Sequence, residues 1–431
     1  MRRLVAVLLF LALVNEGDPL TKYSGYMFAP FGWVGPTLMA PIAQVRPFEI
    51  GMLLALIVAS STGAGKGPRV APMRGALLLA VGTLLLWLVY GLATGGNARA
   101  AGWQIYLPLS VVLSAFAVAA NFHTAEHYAI LARTLVFAAL YRAAMTWYFY
   151  FAYRATVHLD WVAAHDDTVT WVISIIVLAV HAMGAQNRRT TLRAVVSIAF
   201  LLGAIQWNNR RLAWVSLVMA LVTAFFLLPK GRARRRVAGA VRVAIPVILL
   251  YAVIGWGRPG AIFSPLRSFA TVSTQEDQST KARNCENLGL IATVDASTSI
   301  AGTGWGHKYV ELSDKYSIAE MELWPYIPHN GILGLLAYTG ILGFIGYWLQ
   351  FPTAMFFNAR VAQLGNTSEL RNVGLVGAVA MAVCSNQMYG DMGLFSPRTM
   401  YVISVTYAMA LRLPIAAGVW DAPRPARVQP A

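Results

Sequence analysis

Three groups stand out by residue type and by place. Arg211 sits in Asn208-Asn209-Arg210-Arg211-Leu212-Ala213-Trp214, between two apolar runs. Arg283 lies in the polar stretch Lys281-Ala282-Arg283-Asn284-Cys285-Glu286-Asn287. His329 follows Pro328 and leads through Asn330 into a long apolar segment. A guanidinium binds phosphate oxygens in a planar fork, so Arg210 and Arg211 with Arg283 suit a phosphorylated substrate. An imidazole titrates near neutral pH and can orient or deprotonate a hydroxyl. Each group also has an ordinary reading. Arginines at helix ends snorkel to the interface, Arg283 could pair with Glu286 or Asp277 in its own loop, and His329 could cap a helix. Arg142, inside an apolar run, could pair with Asp160 or Asp391 or touch a lipid phosphate.

Two further patterns carry less. His123-Thr124-Ala125-Glu126-His127 matches the H-x-x-E-H arrangement in which two histidines on one helix face hold zinc, but it lacks an evident third ligand. A solvated helix connection is the expectation there. Gly63-Ala64-Gly65-Lys66-Gly67 has neither the spacing nor the preceding strand of a phosphate loop. Cys285 falls in the polar stretch and Cys384 in an apolar run, so neither a disulfide nor a thiolate metal site follows. No metal or other cofactor is expected.

The elements that must position these groups are membrane helices. The 431 residues are 58% hydrophobic and only 12% charged, against about 25% charged in a soluble domain. Mean hydropathy is +0.57. The net charge of +16 is distributed over short loops between apolar runs. That pattern reads as topology signal and lipid-headgroup contact, not as a nucleic-acid surface. A spanning helix needs ~20 mainly apolar residues. The runs predict an all-α polytopic membrane protein of about twelve spans, near 3–19, 44–62, 73–93, 103–120, 129–152, 168–184, 192–208, 211–229, 240–256, 329–350, 371–389 and 398–416. The first run, after Arg2-Arg3, lacks a convincing cleavage site and is expected to be retained. Residues 20–43, rich in aromatics, Gly and Pro, suggest a re-entrant or interfacial piece.

Basic residues set the expected orientation. Arg2, Arg3, Lys66, Arg69, Arg74, Arg188, Arg189, Arg193, the cluster 230–236, Arg360, Arg371, Arg412, Arg424 and Arg427 fall on one side of this arrangement, the expected cytoplasmic side, with both termini. The other side receives Asp160, Asp166, Asp167 and the polar loop. The chain therefore divides into a bundle over 1–256, a loop over 257–328, further spans over 329–418 and a tail over 419–431. Within the loop, a short helix from an N-cap at Ser279 to Asp295, a turn at Gly302-Thr303-Gly304-Trp305-Gly306 and a second helix over Ile318 to Trp324 are expected.

Taken in order, Arg-Leu-Ala-Trp at Arg211, Arg283 followed by the Gly302–Gly306 turn, and Pro328-His329-Asn330 leading into Leu333-Gly334-Leu335-Leu336-Ala337-Tyr338-Thr339-Gly340-Ile341-Leu342-Gly343 resemble the bacterial O-antigen ligase and polymerase superfamily. The resemblance covers roughly residues 200–350. It implies a glycosyltransferase of GT-C-like architecture in the inner membrane that moves a glycan from undecaprenyl diphosphate to an acceptor hydroxyl at the periplasmic face, without a cofactor. It implies catalytic roles for Arg211, Arg283 and His329, with Arg210 occupying the place where that family commonly has Ser. Either arginine of the pair could act. Arg210, Glu276, Asp277, Trp305 and Asn330 are the expected substrate contacts. The acceptor would be a growing glycan, for a polymerase, or lipid A–core, for a ligase, with a flippase and a chain-length regulator as possible partners. A lipid-linked glycan transporter is the non-enzymatic alternative.

Overall fold

The computed structural model describes residues 1–15, 38–39, 44–45, 47–153, 162–229, 231–256, 278–312 and 324–421, with four single positions between 258 and 270. Fourteen α-helices account for most of the described chain. They are α1 (Arg2–Asn15), α2 (Pro47–Ser61), α3 (Ala71–Ala93), α4 (Ala98–Asn121), α5 (Ala125–Tyr153), α6 (Asp167–Gly184) and α7 (Arg188–Asn208). They continue with α8 (Arg211–Leu227), α9 (Arg232–Gly255), α10 (Gln278–Ala296), α11 (Gly331–Trp348), α12 (Gln350–Leu364), α13 (Ser368–Gly390) and α14 (Pro397–Ala416). A two-residue antiparallel ladder, β1 (Leu38–Met39) with β2 (Gln44–Val45), pairs Leu38 with Val45. The remainder of the expected re-entrant piece, Glu276, Asp277, most of the expected helix over 318–324 and the tail after Asp421 lie outside the described residues.

Helices occupy all twelve expected positions, and among the described residues eight helices are long and apolar enough to cross a membrane. The other expected positions carry shorter apolar segments for a simple reason. At 1.5 Å per residue, α1, α2 and α8, with 14, 15 and 17 residues, reach only ~21–26 Å against a hydrocarbon thickness of ~30 Å. In α9 the first turns are Arg-rich, which leaves Ile245–Gly255 as its apolar part. α11 and α12 run together as one span, Gly331–Leu364.

Local sequence explains the ends. Asn97, Asn187, Asn330 and Thr367 cap α4, α7, α11 and α13, each side-chain oxygen accepting a backbone N–H of the first turn. Asn209 ends α7 in the left-handed conformation, φ 51°, which turns the chain directly into α8. α14 is the central helix: 89% of its spanning window is buried.

The bundle has two chemically different ends. At one, Arg2 Nε donates to Asn121 O (3.1 Å) and Arg69 to Gly65 O (3.3 Å). There Arg412 donates to Ala119, Pro68 and Gly65 carbonyls at 2.8, 2.9 and 3.1 Å. His127 of the H-x-x-E-H pattern contacts Arg2 at the same end. The other end carries α10, the glycine turn and the polar residues described below.

The glycine turn is a structural wedge. Gly302, Gly304 and Gly306 have φ of 66°, 85° and 92°, a region that side chains disfavour. The turn inserts between α3 and a break in α11 at Gly340, where φ is 58°. The backbone groups freed by that break are taken up by the loop. Ile341 N donates to Ser299 O (2.9 Å), Leu342 N to Ile300 O (3.2 Å), and Gly304 N to Tyr338 O (2.8 Å). Irregular backbone is tolerated at such depth because protein covers and satisfies it. A Cβ on Gly304 would overlap the Gly91 backbone of α3. Gly304→Ala should therefore lower stability by ~2 kcal/mol or more, from left-handed strain plus overpacking. Thermal unfolding in detergent, compared with Gly82→Ala at an open helix position, measures it.

Candidate active site

The site is built on four chain segments at the end of the bundle opposite Arg2 and Arg412. The first is the connection before α6. Asn208 Oδ1, at the end of α7, accepts from Val162 N (3.1 Å) and Ala163 N (2.7 Å). Asp167 Oδ2 accepts from Ala164 N (3.1 Å). The segment is further clamped by a buried ion network. Arg142 grips Asp167 with two bonds of 3.0 and 2.8 Å. Arg398 Nη1 lies 2.8 Å from both Asp166 Oδ1 and Asp167 Oδ1, and Ser396 donates to Asp166 Oδ2 at 2.8 Å. Arg142 thus pairs with Asp167; Asp160, one of the partners the sequence suggested, lies outside the described residues. Asp166 and Asp167 are interior counter-charges and do not form an acidic surface.

His165 is presented by this clamped segment. Its Nδ1 meets Asp391, the residue that ends α13. Asp391 also accepts from Arg283 on α10, 3.3 Å away. Arg283 therefore bonds to a carboxylate from another helix; Asp277, one of the loop partners the sequence suggested, lies outside the described residues. Glu286, one turn further along α10, holds His329 instead. Its Oε2 lies 2.8 Å from His329 Nδ1, and its Oε1 accepts from His329 N at 2.6 Å. His329 O in turn accepts from Met392 N (2.6 Å), which joins the two imidazole–carboxylate pairs into one cluster.

The cluster has an inside and an outside. The Asp391 and Glu286 side chains are 4% and 2% exposed, whereas Arg283, His165 and His329 keep 33%, 37% and 20%. The carboxylates form the back wall and the nitrogen groups face outward. Burial lowers the pKa of His165 well below its ordinary value, and the charges of Arg210, Arg283 and His329 lower it further. Arg283 and His165 share Asp391, His329 is tied to the adjacent Met392, and the charge of Arg210 acts on the same imidazole.

No protein-family model matches this chain, and no curated protein does either.

Each residue singled out in the sequence can now be placed. Arg283, His329 and Arg210 come together around His165. Arg210 stands at the N-cap of α8 and Arg211 opens the helix; of the two, Arg210 is the one whose charge acts on His165. Leu212 lies over Gly390, and Asn386 donates to Ser216 (2.9 Å), so the start of α8 is fixed against the end of α13. Trp305, expected to stack on sugar, is fully buried with its ring against Tyr338, 5.6 Å between centroids. Its ring offers no exposed face to a substrate. Asn330 is likewise buried and structural. Its oxygen caps α11 through Leu333 N (3.1 Å) and its amide donates to Asn287 (3.1 Å).

His165, Asp391 and Glu286 had no site role in the sequence. His165 lies in a short polar connection with no motif around it. The one available signal was an ionisable Asp391 at the end of a largely apolar run, because such groups usually face the bundle interior and serve function. Among the described residues, no group of three His, Cys, Asp or Glu side chains is arranged to hold a metal.

Proposed function

We propose that the chain is a polysaccharide polymerase. In this reading it transfers glycan repeat units from undecaprenyl diphosphate to the end of an acceptor glycan, at the periplasmic face of the bacterial inner membrane. The chain would cross the membrane about twelve times, with the shorter apolar helices completing the count and both termini in the cytoplasm. The observation that carries the reading is the convergence of Arg283, Arg210 and His329 on one end of the bundle. These are cation and imidazole groups from separate sequence segments, at the end opposite Arg2, Arg69 and Arg412.

The chemistry follows from what each group can do. Charge develops on the diphosphate as its bond to the sugar C1 breaks. Guanidinium groups already in place stabilise that charge without reorganisation. His329, oriented by Glu286, accepts the proton of the attacking hydroxyl, a contribution of ~10²–10⁴ in rate for a positioned general base. Attack from the face opposite the diphosphate inverts the anomeric centre. Transfer to lipid A–core uses the same chemistry with another acceptor, so the assay must contain both. Purified protein incubated with lipid-linked repeat units is expected to yield a ladder of longer lipid-linked chains. Glycan appearing on lipid A–core would make the protein a ligase. Intact donor crossing a bilayer without transfer would make it a flippase.

A further inference from the structure

His165 stands where the site cations converge, yet the reaction above gives it no task. Its Nδ1 faces Asp391. An ionised carboxylate only accepts hydrogen bonds, so Nδ1 carries the proton and Nε2 is the basic nitrogen of the ring. Among the described residues, the charged groups around it come from four neighbouring elements. They are Asp391 at the end of α13, Arg283 on α10, Arg210 before α8 and His329 before α11. Its chain neighbours Asp166 and Asp167 are already engaged by Arg398 and Arg142. Burial and the neighbouring guanidinium groups of Arg210 and Arg283 favour the neutral ring in the protein alone. A diphosphate diester brings two negative charges among the same groups, which reverses the electrostatic balance.

Resting on the proposed function, we infer that His165 takes up a proton when the donor's diphosphate settles beside Arg210 and Arg283, and gives that proton to the departing diphosphate. The bond between C1 and the diphosphate oxygen breaks, and its electron pair stays on that oxygen, which receives the Nε2 proton. The acceptor oxygen bonds to C1 and its proton passes to His329. After product release, His329 loses its proton to water and both rings return to their starting state. The clamp on residues 162–164 by Asn208 and Asp167 is what holds His165 in place for this transfer.

The probe is diethyl diphosphate, a diester like the donor that has no proton of its own to exchange near neutral pH. Calorimetric titration at pH 7.5 in buffers of different ionisation enthalpy counts protons taken up on binding. About one proton per diester is expected for the wild type, by linkage of binding to protonation. His165→Gln should still bind the diester but without uptake, whereas His329→Gln should keep the uptake. Affinity of the wild type should fall as pH is raised, which tests the same linkage if His165→Gln does not fold. Binding to the wild type without uptake, or uptake that persists in His165→Gln, overturns the inference and leaves the proposed function standing. Absence of binding to the wild type overturns the diphosphate reading itself and this inference with it.

Discussion

Arg283→Gln is expected to lower turnover of a lipid-linked donor by ~10²–10³-fold, the usual loss when one preorganised charge-stabilising group is removed. The substitution keeps a polar, though shorter, side chain and removes the charge that faces Asp391 at 3.3 Å. The effect should fall on the rate of transfer more than on donor binding, because the diphosphate gains charge as the bond breaks. Arg283→Lys should recover only part of the loss, since an ammonium is a point charge and cannot reproduce the planar fork. Arg188→Gln, at the opposite end of the bundle, serves as the control and should behave as the wild type. Chain extension followed by gel separation of lipid-linked products measures all three. A folded Arg283→Gln protein that extends chains within a few-fold of the wild type would remove Arg283 from the reaction.

The second large effect is on stability. Asp167→Asn should cost ~3–5 kcal/mol, the penalty for leaving buried partners of an ion network without their counter-charge. Asp167 receives Arg142 through two bonds and lies 2.8 Å from Arg398, and its carboxylate is fully buried. With its charge gone, two interior guanidinium groups would lose a counter-charge they share. Ser396→Ala, which removes one hydrogen bond at the rim of the same network, should cost only ~1 kcal/mol. The two variants compared by thermal unfolding in detergent separate charge burial from a simple bond loss. Because Asp167 also accepts from Ala164 N, the variant should loosen His165 and lower transfer even at temperatures where the bundle stays folded.

What could be read from residue order and what could not have physical causes. Apolar runs mark helices because a bilayer or a packed bundle imposes the same requirement on every turn. That is why the helix positions emerged while the number long enough to span did not. Run length in sequence blurs the few residues that separate a 15-residue helix from a crossing one. Arg283 and His329 were legible because a charged group beside long apolar segments is conspicuous. Their partners were not, since Asp391 and Glu286 lie 108 and 43 positions away along the chain. A one-dimensional pattern does not encode which carboxylate meets which cation. Arg142 shows the same limit, since its sequence setting pointed to Asp160 or Asp391 and the three-dimensional packing brings Asp167 to it. Trp305 failed as a sugar platform for a different reason. An aromatic beside glycines in a polar loop looks exposed, but these glycines allow the backbone to approach Gly91 and Gly340 closely and draw the ring into the core.

α14 is fastened at both extremities. Arg398 near its start grips Asp166 and Asp167, and Arg412 near its finish holds the carbonyls of Gly65, Pro68 and Ala119. The two anchors are ~21 Å apart along the axis. Sliding this helix lengthwise would break ionic bonds at one extremity and three carbonyl bonds at the other simultaneously. The helix therefore behaves as a fixed mast. Any larger movement within the bundle has to be made by helices around this stationary axis.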